Sequence, residues 1–194
     1  MKPPQVEPTC PSLRRTNASR RRLAAALAGA GLAMLSVAGC AQPASYAVPE
    51  QFCGITITED VLRPLLPAGK ELRAEPVDLG GGSSRCKISV DKKLALYLQT
   101  DLAPSDTDPV EVRKRELDRY GNPAPVNVGD QGRVADSGAL AAAACQRQGA
   151  DRKVIVEAHI PSDPPQDVAQ RRKDLTAFIG AYLPAVQKFL DCSG

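Results

Sequence analysis

The six cysteines are the residues of this 194-residue chain with the most reactive side chains, because a thiol can be acylated, oxidised to a disulfide or bound to a metal. They are Cys10, Cys40, Cys53, Cys86, Cys145 and Cys192. The last four form no C-x-x-C pair, and none lies at a zinc-ligand spacing from His159, the single histidine. The spacing therefore favours acylation and disulfides, and it predicts no metal site.

Cys40 follows a pattern typical of an export signal. A basic head at Ser19–Arg22 precedes an apolar run of about fifteen residues, Leu23–Val37, which is too short to cross a membrane. Small residues, Ala38 and Gly39, stand directly before the cysteine and would give a peptidase access to the backbone. We expect residues 1–39 to be a signal peptide that is removed.

The segment that ends at Cys40 resembles the lipobox of bacterial lipoprotein signals, which usually reads Leu-Ala-Gly-Cys. Here Val37 takes the position of the leucine. The resemblance implies a diacylglyceryl group on Cys40, and two acyl chains hold a protein firmly on a membrane. An ordinary cleaved signal with an incidental cysteine is the alternative.

Arg20 and Arg21 leave the export route open. With Ser19 and Leu23 they resemble a twin-arginine signal, and the mildly hydrophobic run after them suits that route. A basic head is also common in general secretory signals. The sequence therefore predicts export without choosing the pathway.

The mature chain, residues 40–194, has 155 residues, which is enough for one domain with a real core. The signal holds six of the 25 basic and one of the 22 acidic residues, which leaves 19 basic and 21 acidic residues. A mildly acidic domain lacks the basic face that nucleic acid requires. We expect a lipidated tether at 40–50 and one extracytoplasmic domain at 51–194.

Four cysteines in an exported domain predict two disulfides, for which three connectivities exist. We favour Cys53–Cys86 and Cys145–Cys192, because each would join a helix or terminal segment to a strand beneath it. These loops of 34 and 48 residues would each remove unfolded-state freedom worth about 4 kcal/mol.

Hydrophobic periodicity predicts the first half of the domain. Thr58 is the expected N-cap of a short helix that contains Pro64. A short strand at Leu72–Val77 and a flexible loop at Gly80–Ser84 should follow. Period-two alternation on both sides of Asp91–Lys93 then predicts a hairpin.

A second helix should begin at Asp108 and end at Gly121, with the basic run Arg113–Arg115 as a solvated face. Strands should follow from Val126 to Ile160. Asp163, Pro164 and Pro165 are expected to cap a final helix that reaches about Leu190. Its apolar stripe comprises Leu175, Phe178, Ile179, Tyr182, Leu183, Val186 and Leu190.

These elements predict an α+β domain. Its mostly antiparallel sheet should be covered on one face by helices, including the long C-terminal one.

The cysteine contexts also carry a family resemblance. Phe52-Cys53 before a helix, Arg85-Cys86-Lys87 opening a strand, Ala144-Cys145-Gln146 in a later strand and Cys192 by the last helix resemble small secreted lipoproteins of actinobacteria, a group of largely unknown function. The resemblance implies an α/β domain similar to PsbP-like folds that binds or supports a partner at the cell surface. It implies no catalytic residue.

Enzyme signals in the chain have simpler explanations. His159 shares a strand face with Glu157 and is interpreted as a surface residue. Ser84 and Lys87 match S-x-x-K but enter a strand, where acylating enzymes use a helix start. The Gly80–Gly82 loop lacks a phosphate-binding context. Asp101, Asp106 and Asp108 could form a carboxylate cluster, although turn and cap chemistry already accounts for Asp108.

We therefore expect a lipoprotein on the extracytoplasmic face of the cell membrane, held by diacylglyceryl-Cys40, with a non-catalytic ligand-binding or accessory domain and no cofactor. Its partner would be an envelope protein or a small apolar ligand between the sheet and the final helix. Few aromatic side chains disfavour a polysaccharide site. The alternatives are a cell-surface hydrolase or transferase and a structural envelope protein.

Overall fold

Antiparallel strands form the frame of the domain. The computed structural model describes residues 45–161 and 167–193. Within these ranges a two-stranded hairpin precedes a seven-stranded antiparallel sheet with the strand order β3-β4-β5-β9-β8-β7-β6. The strands are β1 Gln51–Phe52, β2 Ile55–Thr56, β3 Leu72–Gly80, β4 Ser83–Val90, β5 Lys93–Pro104, β6 Ala124–Val126, β7 Gln131–Val134, β8 Gly138–Arg147 and β9 Ala150–His159.

The helices lie between and after the strands. They are α1 Glu59–Leu62, α2 Pro109–Val112, α3 Lys114–Tyr120 and α4 Val168–Phe189, and a 3-10 turn at Arg63–Leu65 extends α1. This turn contains Pro64, which agrees with the predicted limit on the first helix. The predicted second helix is divided at Arg113, whose backbone is non-helical (φ −111°, ψ 14°).

The main core lies between α4 and one face of the sheet. All seven residues of the predicted stripe on α4 are buried, which confirms the interpretation of that helix. They pack against alternate residues of β4 and β9, including Ile88, Val154 and Val156. The α+β class, the antiparallel sheet and the long C-terminal helix are therefore as predicted.

The opposite face of the sheet carries the short helices α2 and α3. Leu117 of α3 packs there with Leu140, Ala142 and Ile155 in a separate small core cluster. Helices thus lie on both faces, because strand alternation gives β8 and β9 apolar side chains on each side.

The two predicted disulfides, Cys53–Cys86 and Cys145–Cys192, are present, with Cα–Cα distances of 5.9 and 4.9 Å. The first joins the β1–β2 hairpin to β4. The second joins β8 to the residues after α4, where Ser193 also exchanges backbone hydrogen bonds with Gln146. Both ends of the described chain are thereby tied to the sheet.

Several local predictions need correction. The Gly80–Ser84 segment is a tight turn inside a β-hairpin, and Gly81 and Gly82 have positive φ there, a conformation that costs glycine little. Asp167 is the N-cap of α4 and accepts a hydrogen bond from the Gln170 amide at 2.8 Å. The predicted caps Asp163, Pro164 and Pro165 lie outside the described residues.

The start of the domain also differs from the prediction. Tyr46, assigned to the tether, is buried and donates a hydrogen bond to the Pro67 carbonyl at 2.5 Å. Its ring also contacts the Arg63 guanidinium at 4.9 Å. Folded structure therefore begins before residue 51. Cys40, Arg20 and Arg21 lie outside the described residues.

Candidate functional site

A buried polar cluster lies on the sheet face that carries α2 and α3. Its centre is Glu157 on β9, which is only 4% exposed. The strand register aligns Glu157 with Gln99 of β5 and Leu140 of β8. Tyr120 at the end of α3 donates a hydrogen bond to Glu157 Oε1.

Arg113 connects this carboxylate to a second one. Its Nε lies 3.4 Å from Glu157 Oε2, and its guanidinium also donates a hydrogen bond to Asp101. Gln99 donates to the same Asp101 carboxylate at 2.9 Å and accepts from the Tyr97 hydroxyl at 3.2 Å. Arg113, predicted as part of a solvated face, is therefore the ion-pair partner of two carboxylates.

Burial sets the electrostatics of the cluster. It raises the pKa of Glu157 above its ordinary value, although the Tyr120 hydroxyl and the Arg113 charge act in the opposite direction. Burial and the hydrogen bond to Glu157 raise the pKa of Tyr120, so the phenol stays protonated and donates. Burial also lowers the pKa of His159, which favours its neutral form.

His159 is half-buried, and the interpretation of it as a simple surface residue needs correction. Its ring stacks on Tyr120, with centroids 4.2 Å apart and planes 19° apart. The two rings, with Leu94, Tyr97 and Arg119, line a depression of about 430 Å³. Glu157 lies beneath this surface, so the cluster fastens α2 and α3 to the sheet without presenting its carboxylate to a ligand.

A different surface lies where α4 ends beside the β3–β4 hairpin. We call it the terminal groove; it has a volume of about 270 Å³ and is lined by Cys53, Pro76, Val77, Asp78, Gly82, Ser83, Ser84, Arg85, Phe189 and Leu190. Phe189, the last residue of α4, is 55% exposed here. A second depression on the other side of Phe189 is lined by Gly54, Thr56, Ala185 and Lys188.

The terminal groove has firmly held walls. Cys53 in its lining is bonded to Cys86, and the Cys145–Cys192 disulfide lies three residues beyond Phe189. The Gln187 side chain donates to the Ala144 carbonyl at 2.9 Å, which fixes the last turn of α4 on β8. Phe189 is therefore an exposed aromatic on a rigid support, a common feature of binding surfaces.

The middle of α4 packs directly on the sheet, at the place where a small apolar ligand was one of the two predicted partners. Phe178, Ile179 and Val186 are fully buried there against β-strand side chains. Leu190 belongs both to this core and to the lining of the terminal groove.

The other residues singled out in the sequence are dispersed. Ser84 and Lys87 lie on β4, as the strand interpretation predicted. Asp108 caps α2 by accepting from the amides of Val110 and Glu111, and Asp106 lies in an exposed turn. Across residues 45–161 and 167–193, no group of three or more His, Cys, Asp or Glu side chains could hold a metal ion.

Sequence reasoning missed Phe189 and the role of Arg113. Phe189 stands between Val186 and Leu190 of the predicted stripe, and its exposure depends on how α4 meets the β3–β4 hairpin. Arg113 carried a signal, because it takes the position on its helix where an apolar residue would complete the buried stripe. A charged residue at such a step indicates a buried partner of opposite charge.

In the described part of the chain, α4 is the longest helix, and no helix there is both long and apolar enough to span a membrane. Comparisons with protein-family models, with curated proteins and with solved structures give no significant match for this chain.

Proposed function

We propose that this protein is a membrane-anchored extracytoplasmic lipoprotein whose non-catalytic domain docks a protein partner through the terminal groove. The signal and lipobox pattern ending at Cys40 supports the anchor and the location. The two disulfides suit an oxidising compartment outside the cytoplasm.

The observation that carries the docking function is the exposed Phe189 on the rigid end of α4. Val77 and Leu79 of the neighbouring edge strand β3 are also exposed, at 40% and 44%. Exposed apolar side chains grouped at one end of a domain are typical of protein interaction sites.

The open shape of the groove favours a protein partner over a free small molecule. Ligand pockets usually enclose about 300–1,000 Å³ and bury most of the ligand. At about 270 Å³ and open to solvent, the terminal groove fits one or two apolar side chains of a partner surface. Arg85 at its rim would suit a partner with an acidic residue beside those side chains.

The polar cluster gives less support to the hydrolase or transferase alternative. A catalytic carboxylate must reach its substrate. Glu157 is buried beneath Tyr120 and already pairs with Arg113, so its contacts favour a structural role.

The anchor is tested by replacing Cys40 with serine and following incorporation of a labelled fatty acid. Wild-type protein should carry the label and sediment with membranes, whereas Cys40→Ser should carry none. Cys10→Ser is the matched control and should be labelled like wild type. Equal labelling of Cys40→Ser and wild type would contradict the lipidation site.

Docking is tested by placing a photo-crosslinking phenylalanine analogue at residue 189 in the anchored protein. Residue 112 is the matched control, because Val112 on α2 is also 55% exposed. We expect one defined protein adduct from residue 189 that is absent from residue 112 and is lost when Val77→Asp adds a charge to the groove. The same adducts from both positions, or a retained small molecule found by native mass spectrometry, would contradict the proposal.

A further inference from the structure

The first described residues fix where the chain leaves the domain toward Cys40. Ser45 donates hydrogen bonds from its amide and its hydroxyl to the Gly69 carbonyl, at 2.9 and 3.1 Å. Tyr46, the next residue, is buried. Four residues separate Cys40 from Ser45, so five residue steps place the acylated cysteine at most about 18 Å from this point.

Three exposed lysines surround this exit. Lys70 directly follows Gly69, Lys92 lies in the turn between β4 and β5, and Lys93 is the first residue of β5. The Asp91 carboxylate accepts hydrogen bonds from the amides of Lys70 and Glu71, at 3.0 and 2.9 Å. The loop and the turn are thereby joined into one surface, which we call the lysine end.

The acidic residues of the lysine end, Asp91 and Glu71, already have partners within the domain. Asp91 caps the two amides just described, and Glu71 pairs with Arg73 at 2.7 Å. The Asp91 carboxylate keeps its charge, because backbone amides are neutral, but Lys70, Lys92, Lys93 and Arg73 outnumber Asp91 and Glu71, so the lysine end is net positive.

We propose that the lysine end rests on the anionic surface of the membrane that holds Cys40. This inference rests on the proposed lipid anchor, which brings Lys70, Lys92 and Lys93 within reach of the headgroups. Lysines at an anionic membrane surface each strengthen binding about five-fold.

This contact would also orient the terminal groove. Ser84 and Arg85 line the groove, whereas Val90 lies next to the lysine turn at the other end of β4. Ser84 and Val90 are six residue steps apart along the strand, a distance on the order of 20 Å. With the lysine end on the membrane, Phe189 would face away from it, toward partners.

The experiment measures lysine modification in the full lipidated protein, purified and reconstituted into vesicles of phosphatidylcholine alone or with one third phosphatidylglycerol. A neutral, membrane-impermeant amine reagent is applied, and modification at each lysine is measured by mass spectrometry. Lys114 of α3 and Lys173 and Lys188 of α4 are exposed internal controls on other elements.

We expect Lys70, Lys92 and Lys93 to be modified at least five-fold more slowly in the anionic vesicles, with the controls unchanged. High salt should abolish this protection, because it screens charges at the surface. The peptide containing Cys40 is analysed in the same samples.

If Cys40 is acylated and each of the six lysines is modified at the same rate in both kinds of vesicle, this inference is overturned and the anchor stays intact. Protection of Lys188 in place of the lysine end would overturn it by showing the reverse orientation. An unacylated Cys40 would overturn the anchor and this inference together, so the two failures are distinguishable.

Discussion

At the residue scale, Glu157 shows how a charged side chain is accommodated inside this domain. Two partners from the same helical segment hold its carboxylate: the Tyr120 hydroxyl on Oε1 and the Arg113 guanidinium beside Oε2. Burial nevertheless raises its pKa, so the surroundings compensate only part of the lost hydration. Glu157 should therefore make stability depend on pH.

We expect Glu157 to reduce the free energy of unfolding as pH rises from its ordinary pKa of 4.5 toward its higher folded pKa. The folded state binds the proton more tightly than the unfolded chain, and deprotonation therefore favours unfolding. The difference in unfolding free energy between wild type and Glu157→Gln should decrease with pH, by at most about 1.4 kcal/mol per pH unit.

Urea unfolding of both proteins between about pH 4 and pH 8 measures this difference. Comparison with Glu157→Gln separates Glu157 from His159, whose lowered pKa acts in the opposite sense below its ordinary value of 6.5. Glu75→Gln is the control, because Glu75 is exposed on β3. A difference that stays constant or grows with pH would contradict the raised pKa.

At the element scale, α2 and α3 depend on the sheet for their position. The break between them at Arg113 directs that side chain to Asp101 of β5 and Glu157 of β9. The apolar contacts of the pair are few, mainly Leu117 and Val110 against β8 and β9. The ion pairs should therefore contribute a large share of the attachment.

We expect Arg113→Ala to lower the free energy of unfolding by about 1.5–3 kcal/mol, because the charged hydrogen bond to Asp101 and the ion pair with the buried Glu157 are both lost. Arg115→Ala, in the same basic run but exposed, should change it by less than about 0.5 kcal/mol. Chemical denaturation measures both variants, and faster hydrogen exchange in residues 109–120 should accompany the first. Equal effects of the two substitutions would show that Arg113 is an ordinary surface residue.

At the scale of the whole molecule, the disulfides hold the two ends of the described chain on a sheet that is built largely from its middle. Cys53–Cys86 secures the N-terminal hairpin, and Cys145–Cys192 secures the residues after α4. Each closes a long loop, with sequence separations of 33 and 47 residues, and so restricts the unfolded chain substantially.

We expect paired replacement of either cystine by alanines to lower the free energy of unfolding by about 2–5 kcal/mol. That loss is a large fraction of the stability of a typical domain. Urea unfolding of the two double variants beside wild type gives the measurement. A midpoint unchanged from wild type in either variant would mean that its bridge adds no net stability.

The sequence alone determined the features that depend on local chemistry. The spacing of apolar residues located α4 and its buried stripe, and alternation located the β4–β5 hairpin, because these periods follow from backbone geometry. Asp108 and Pro109 marked the start of α2 for the same reason. The observed disulfides were the favoured one of three possible connectivities, because each was expected to join a helix or terminal segment to a strand beneath it.

The tertiary structure alone decided which distant residues meet. Strand β9 lies between β5 and β8, and this order brings Glu157 beside Asp101 and beneath α3. Tyr46 and Phe189 have similar apolar chemistry, yet one is buried and the other exposed. Whether such a side chain is buried depends on packing against residues far away in the sequence, which no local pattern encodes. The terminal groove and the lysine end could therefore be recognised only in the tertiary structure.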